Sequence, residues 1–235
     1  TNMIFSIIIP SYNQNLYLNE AIQSALNQKV SPRDKKFGFE VIIVDDGSTD
    51  GSLETAKKYE KDGVVVISQV NKGLASARNT AIMNAVGDYI VPLDADDMLI
   101  EDCLSRVYNR LLKNPVDIVG LSFRCMGLST QPVILGIPRV EDFRLGNRLG
   151  YCAAIKRGCL LEVGGYSPRM TWGYEDLHLW INLLSRGATV DVIQEVCWLY
   201  RIKAESMITD AKSHHAELLA QINKDFPSIN INFPA

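Results

Sequence analysis

The chain has 235 residues, 47% of them hydrophobic and 22% charged, with a formal net charge of −3. That length can bury a substantial core as one domain, and the balance is ordinary for a soluble globular protein. The mild acidity excludes a basic nucleic-acid footprint, and no apolar run reaches the length of a membrane span or has the layout of a signal peptide. The five cysteines, Cys103, Cys125, Cys152, Cys159 and Cys197, contain no CxxC pair and are odd in number. Buried thiols in a reducing compartment are expected rather than disulfides or a zinc site.

In chain order, Phe5–Ile9 is a continuous apolar strand that breaks at Pro10. Apolar residues then recur at helical spacing from Leu16 to Gln28. Ser31–Lys36 is a polar loop. Val41–Val44 is a second buried strand, ending in Asp45-Asp46-Gly47-Ser48-Thr49-Asp50. Asp50 or Ser52 is placed to cap a helix running to about Lys61. Val64–Ile67 is a third strand, followed by Asn71-Lys72-Gly73 and a helix from Leu74 to Ala85. Gly87–Leu93 is a fourth strand, running into Asp94-Ala95-Asp96-Asp97. A helix over 101–112 and a strand over Asp117–Leu121 follow.

Beyond that point the pattern is less regular. Residues 122–150 are rich in Gly and Pro and read as mostly loop. Tyr151–Ile155 is a strand and Arg157–Val163 a short helix. Asp176 starts a helix with Leu177, Trp180, Ile181 and Leu184 on its apolar face, stopping at Gly187. Strands over 189–193 and 196–201 and an amphipathic helix over 211–226 complete the chain.

Alternating strands and helices imply a mainly parallel sheet with helices on both faces. Ligands of such sheets bind outside the carboxyl ends of the strands. Here those ends are Pro10–Asn13, Asp45-Asp46, Asn71 and Asp94–Asp96. Three carboxylates in one turn repel one another and are costly to desolvate, so they call for a cation, for water, or for a helix to cap. Four polar ends on one rim favour a site. The dinucleotide fingerprint, the phosphate loop GxxxxGK[ST] and the G-x-S-x-G elbow are all absent. The three histidines lack metal-ligand spacing. His214 and His215 read as a solvated pair, and His178 as a residue beside the site or on the helix surface rather than a catalytic one.

Five segments fall in a recognisable order: Ser6–Asn13, Val44–Gly51, Asn71–Asn79, Leu93–Asp97, and Gly164-Gly165-Tyr166 with Glu175–Trp180. They resemble the family 2 inverting glycosyltransferases of GT-A fold, over residues 4 to about 207. The resemblance implies an α/β GT-A domain with a mixed, mainly parallel sheet. Residues 1–121 would form its nucleotide-sugar-binding half, 122–207 its acceptor half and 208–235 a C-terminal helical extension. It implies a hexosyltransferase that moves a sugar from a nucleotide-diphosphate donor, a UDP-sugar first, to a saccharide or lipid-linked acceptor. The setting would be cell-surface polysaccharide or glycolipid synthesis, in the cytoplasm at the inner face of the membrane, with peripheral membrane contact. Pro10, Tyr12 and Asp46 would hold the base, and Arg78 would approach the base or diphosphate. Asp94 would meet the ribose, and Asp96 would bind Mn²⁺ or Mg²⁺ on the diphosphate. Asp97 would assist or cap the next helix.

Asp176 is the expected general base, taking the proton of the attacking hydroxyl. Its rival Glu175 points about 100° around the helix. Trp172 offers an aromatic face to an acceptor sugar or packs in a loop. One departure stands out. Family members often carry a His two residues after the Tyr-Arg pair, where this chain has Lys203 after Tyr200-Arg201. A protonated Lys repels a metal but binds phosphate. Arg201 and Lys203 are therefore expected to close over the diphosphate, leaving the metal fewer protein ligands. Residues 122–150 look short for an acceptor-recognition region. The rival readings are a sugar-phosphate nucleotidyltransferase, which should carry a Gly/Arg-rich loop after the first strand, and an inactive nucleotide-sugar-binding module.

Overall fold

The structure, a computed structural model, describes residues 3–29, 37–203 and 211–235. The polar loop expected at 31–36, and the residues after Lys203 up to 210, lie outside the described residues. The strands are β1 (Met3–Ser11), β2 (Phe37–Asp45), β3 (Val65–Ser68), β4 (Tyr89–Pro92), β5 (Met98–Leu99), β6 (Ile118–Gly127), β7 (Pro132–Val133), β8 (Ala153–Lys156) and β9 (Val190–Ile202). The helices are α1 (Asn15–Leu26), α2 (Ser52–Lys57), α3 (Leu74–Asn84), α4 (Cys103–Lys113), α5 (Arg157–Glu162), α6 (Glu175–Ser185) and α7 (His215–Asp225), with short 3-10 turns at Glu60–Asp62 and Val140–Leu145.

These strands form one sheet in the order β3-β2-β1-β4-β8-β6-β9-β5, with β7 on the side of β6. The ladders β1–β2, β1–β4, β2–β3 and β6–β9 are parallel and carry most of the register. The antiparallel β8 is wedged between β4 and β6. The continuous apolar runs follow from burial on both faces. Ile7 and Ile9 of β1 join Leu18 and Ile22 of α1 and Val107 of α4 in one core layer. Ile8 between them joins Ala77 and Ala81 of α3 and Trp180 and Ile181 of α6 in the other. Each isoleucine is fully buried, worth about 1.5–3 kcal/mol apiece.

Several expectations need correction. Residues 122–150 lie mostly outside strands and helices, as expected, but the segment begins as strand rather than loop. β6 continues through Gly127 because Phe123–Gly127 pair with Trp198–Ile202. The two strands expected over 189–201 are one strand, β9, accommodated by a register shift between Leu121 and Phe123. There Trp198 Nε1 donates to the Leu121 carbonyl at 2.9 Å. The helix after Asp50 stops at Lys57. Asp97 caps no helix, since α4 starts six residues later. All five cysteines are free, and Cys103, Cys152 and Cys197 are buried. No described helix is long and apolar enough to cross a membrane.

Candidate active site

The carboxyl ends of β1, β2 and β4 open onto a cleft of about 1050 Å³. Pro10, Tyr12, Asp46, Asp94 and Asp96 line one side, and Trp172, Tyr174, Asp176 and Asn147 another. Arg201 and Lys203, from the end of β9, line it too. Eight of the nine residues expected at the site therefore share one cavity, and Arg78 does not line it.

Much of the Val44–Gly51 motif builds the rim rather than touching its contents. Ser48 Oγ accepts from the Asn13 N–H at 3.0 Å, and Asn13 Oδ1 accepts from the Thr49 N–H at 2.8 Å. Asp50 accepts from the N–H groups of Asn15 and Ser52, serving the starts of two helices at once. Gly47 has a φ of 79°, and a Cβ there would lie 2.9 Å from the Asn71 nitrogen, so only glycine brings the loops after β2 and β3 this close. The buried Asp46 uses that approach. It accepts from Gln69 Nε2 at 2.7 Å, the Lys72 N–H at 3.0 Å and the Gly73 N–H at 2.8 Å. A carboxylate has about four lone-pair sites, so one remains for a ligand. Tyr12 is half exposed and lines the same cleft.

Arg78 lies beneath the cleft, not in it. Its side chain is fully buried, with Nη2 on Asp94 Oδ1 at 2.7 Å and Nη1 on Glu175 Oε1 at 2.6 Å. Its guanidinium carbon lies 5.3 Å from the centre of the Tyr151 ring and 5.0 Å from that of Tyr166. The physical reason is local. Arg78 is fully buried on α3, and the two carboxylates meet different nitrogens of its guanidinium. Its neighbour Asn79 clamps the backbone of Tyr166, donating to its carbonyl and accepting from its N–H, both at 2.8 Å. Gly165 allows this, because at φ 74° a Cβ would lie 2.3 Å from Asn79 Oδ1. The Arg-Asn and Gly-Gly-Tyr segments thus join α3 to the loop that precedes α6.

The three carboxylates of the acidic turn have separate partners. Asp94 is held by Arg78, yet burial pushes its carboxyl up to about 6. Asp96 Oδ2 meets the Lys203 ammonium at 2.5 Å. Asp97 is 1% exposed, and accepts from the Tyr151 hydroxyl at 2.5 Å and the Arg201 N–H at 2.7 Å. Burial, with Asp94 and Asp96 nearby, pushes Asp97 up to about 8. The Tyr151 hydroxyl also accepts from the Asp94 N–H at 3.0 Å, so one phenol ties the turn together.

On the other wall, Tyr174 takes a left-handed φ of 59° just before α6. Asp176 follows as the second residue of that helix. Its Oδ2 accepts from Asn147 Nδ2 at 2.7 Å. Burial and the neighbouring Glu175 push the Asp176 carboxyl up to about 7, into the range suited to a general base near neutrality. Glu175 is itself buried on Arg78, which separates the two acids by role. Trp172 is half exposed, with one face stacked on His214 at 4.3 Å. The histidine pair is not solvated: His215 lies 2.8 Å from the Tyr174 hydroxyl and 2.7 Å from the Phe233 carbonyl. His178 is buried against Asp225, linking α6 to α7 away from the cleft. Tyr151 and Asn147 were not expected at the site. Asn147 lies in a stretch without periodicity and Tyr151 at the start of an expected strand, and nothing in their spacing marks either as a site residue.

The acidic turn does not fit a resident divalent cation. Each of its carboxylates is already engaged by a cation or by two hydrogen bonds, and no group of three or more His, Cys, Asp or Glu converges among the described residues.

A mainly parallel sheet whose strand ends carry Asp46, an acidic turn and a raised carboxylate on one cleft matches the GT-A class of nucleotide-sugar enzymes. The chain belongs to glycosyl transferase family 2, whose model matches residues 6–134. It is 42% identical over 86% of its length to a poly(ribitol-phosphate) beta-glucosyltransferase of Bacillus spizizenii, covering 33% of that protein. It is 29% identical over 94% of its length to the Escherichia coli enzyme described as UDP-Glc:alpha-D-GlcNAc-diphosphoundecaprenol beta-1,3-glucosyltransferase, covering 84% of it. The chain spans 43% and 34% of the first curated relatives it matches. Among solved structures, Staphylococcus aureus TarS 1-349 with UDP-GlcNAc superposes with a TM-score of 0.79 at 19% identity, covering 95% of this chain and 66% of that one. A Pyrobaculum calidifontis mannosyltransferase with GDP-Man and Mn²⁺ gives 0.70 at 22% identity, covering 94% and 64%. At these identities the likeness is one of fold.

Proposed function

We propose that the chain transfers a sugar from a nucleoside-diphosphate donor, a UDP-sugar, to a hydroxyl of a saccharide or lipid-linked acceptor, with inversion at the anomeric carbon. The observation that carries this reading is Asp176, a carboxylate raised toward neutrality on the same cleft as Tyr12, Asp46 and Asp94. Tyr12 stacks on the base, and the remaining lone pair of Asp46 accepts from a base N–H. Asp94 accepts from a ribose hydroxyl, held in place by Arg78. Asp176 takes the proton of the acceptor hydroxyl as its oxygen attacks the anomeric carbon, opposite the departing diphosphate. Asn147 orients the carboxylate for that transfer.

The relatives' names support a role in cell-surface polymer synthesis. A lipid-linked acceptor would bring the chain to the inner face of the membrane. The test is a panel of UDP-, GDP- and dTDP-sugars, scored for transfer and donor hydrolysis. Asp176→Asn should lower turnover by about 10²–10⁴-fold while leaving donor affinity intact. Unchanged turnover in that variant would remove Asp176 from its role, and failure of every donor to bind would overturn the whole reading.

A further inference from the structure

The cation nearest the acidic turn belongs to the chain itself. Lys203 Nζ lies 2.5 Å from Asp96 Oδ2 and 5.2 Å from the centre of the Tyr17 ring. Arg201 sits on the same ring at 4.6 Å, donates from Nε to the Asp96 carbonyl at 2.7 Å, and pairs with Glu20. Its backbone N–H is fixed on Asp97. The end of β9 is therefore held against the acidic turn by several separate contacts, with two cationic side chains lining the cleft. An ammonium has three N–H donors, and Asp96 engages one of them. Among the described residues no second hydrogen-bond partner meets this ammonium, so the other two can donate to phosphate oxygens.

We infer that Lys203, braced by Tyr17 and Arg201 and paired with Asp96, supplies the positive charge for the donor's diphosphate, so that donor binding to this chain needs no divalent cation. The inference rests on the nucleotide-sugar reading of the cleft. Asp96 then serves as the anchor that aims the ammonium rather than as a metal ligand. A divalent ion at Asp96 would have to displace Lys203 and sit beside its charge. In the transfer itself, the bond between the anomeric carbon and the diphosphate oxygen breaks and its electron pair stays on that oxygen. The acceptor oxygen forms the new bond and its proton passes to Asp176. Lys203 remains protonated throughout and strengthens its hydrogen bond as charge grows on the leaving oxygens.

Calorimetric titration of the whole chain with UDP and with GDP, in chelator and then in Mn²⁺, separates the possibilities. Equal affinity in chelator and in Mn²⁺ is expected for the nucleotide that binds. Lys203→Met should lose about 10- to 100-fold in chelator, and Lys203→Arg should recover most of it. Electron paramagnetic resonance should find free Mn²⁺ unretained by the parent, with or without the nucleotide. Nucleotide binding that appears only with Mn²⁺ overturns the inference while leaving the nucleotide-sugar reading in place. So does a Lys203→Met variant of unchanged melting temperature and unchanged affinity. Absence of nucleotide binding under both conditions instead overturns the reading on which the inference depends.

Discussion

Arg78 offers the perturbation whose size is best defined by its surroundings. Its guanidinium is wholly buried and is the shared counter-ion of Asp94 and Glu175. Arg78→Met keeps the apolar stem and much of the volume, but leaves two carboxylates close together in a poorly solvated space. Removing one partner of a buried pair costs about 3–5 kcal/mol. In a chain of this size about 1 kcal/mol moves the melting midpoint by about 2–4 °C, so a fall of roughly 6–20 °C is expected. The loss also has a sign in pH. Without the cation that opposes the effect of burial, Asp94 titrates still higher in the folded than in the unfolded chain, so the folded state binds more protons above about pH 4. Stability of the variant therefore falls, relative to the parent, as pH rises. Thermal unfolding followed by circular dichroism at about pH 5 and about pH 8 measures both parts. The double variant Arg78→Met/Glu175→Gln should recover part of the loss at the higher pH. A midpoint matching the parent's at about pH 8, or a penalty larger at about pH 5, would refute the reasoning.

Three further outcomes are expected. Turnover should rise with pH up to about 7, because Asp176 accepts a proton only when ionised; Asn147→Ala removes a hydrogen bond that favours the carboxylate, so a pH–rate series should show that limb moved to higher pH. Tyr12→Ala should weaken nucleotide binding by about two- to tenfold through lost stacking, measured by calorimetry, with melting unchanged because the ring is half exposed. Gly165→Ala should cost about 1–3 kcal/mol in urea unfolding, from the left-handed backbone and the contact with Asn79 Oδ1.

The strand ends at Pro10, Asp46 and Asp94 are legible from sequence because continuous apolar runs stop abruptly at polar residues, and a parallel sheet must gather such ends on one rim. Asp176 is legible only with the family resemblance, since an acidic residue at a helix start has a sufficient cause in the helix dipole. The place of Arg78 is not legible. Its partner Glu175 is 97 residues away, and nothing local indicates which of the neighbouring acids it meets. The strand character of Phe123–Gly127 is hidden for a similar reason. Gly and Pro nearby signal loop, while the pairing with β9 that overrides them comes from some 75 residues further on. The three carboxylates of the acidic turn read as one cluster from sequence. In the fold they divide among Arg78, Lys203 and the Tyr151 hydroxyl, because successive residues of a turn point in different directions.

The position of β8 bears on how the chain acquires its fold during synthesis. β4 reaches β6 only through β8, and β6 gains its long parallel partner only when β9 has been made. A nascent chain that has emerged as far as β7 therefore presents β4 with an open edge and β6 with neither of its main neighbours. Such edges are templates for pairing with other chains. Sheet closure must wait for roughly the last quarter of the sequence, which predicts slow, high-contact-order folding and a need for protection of the early product. A fragment ending where the family model stops, at residue 134, would hold most of the rim around Asp46 and Asp94 yet lack both β8 and β9, the strands that join and complete its sheet.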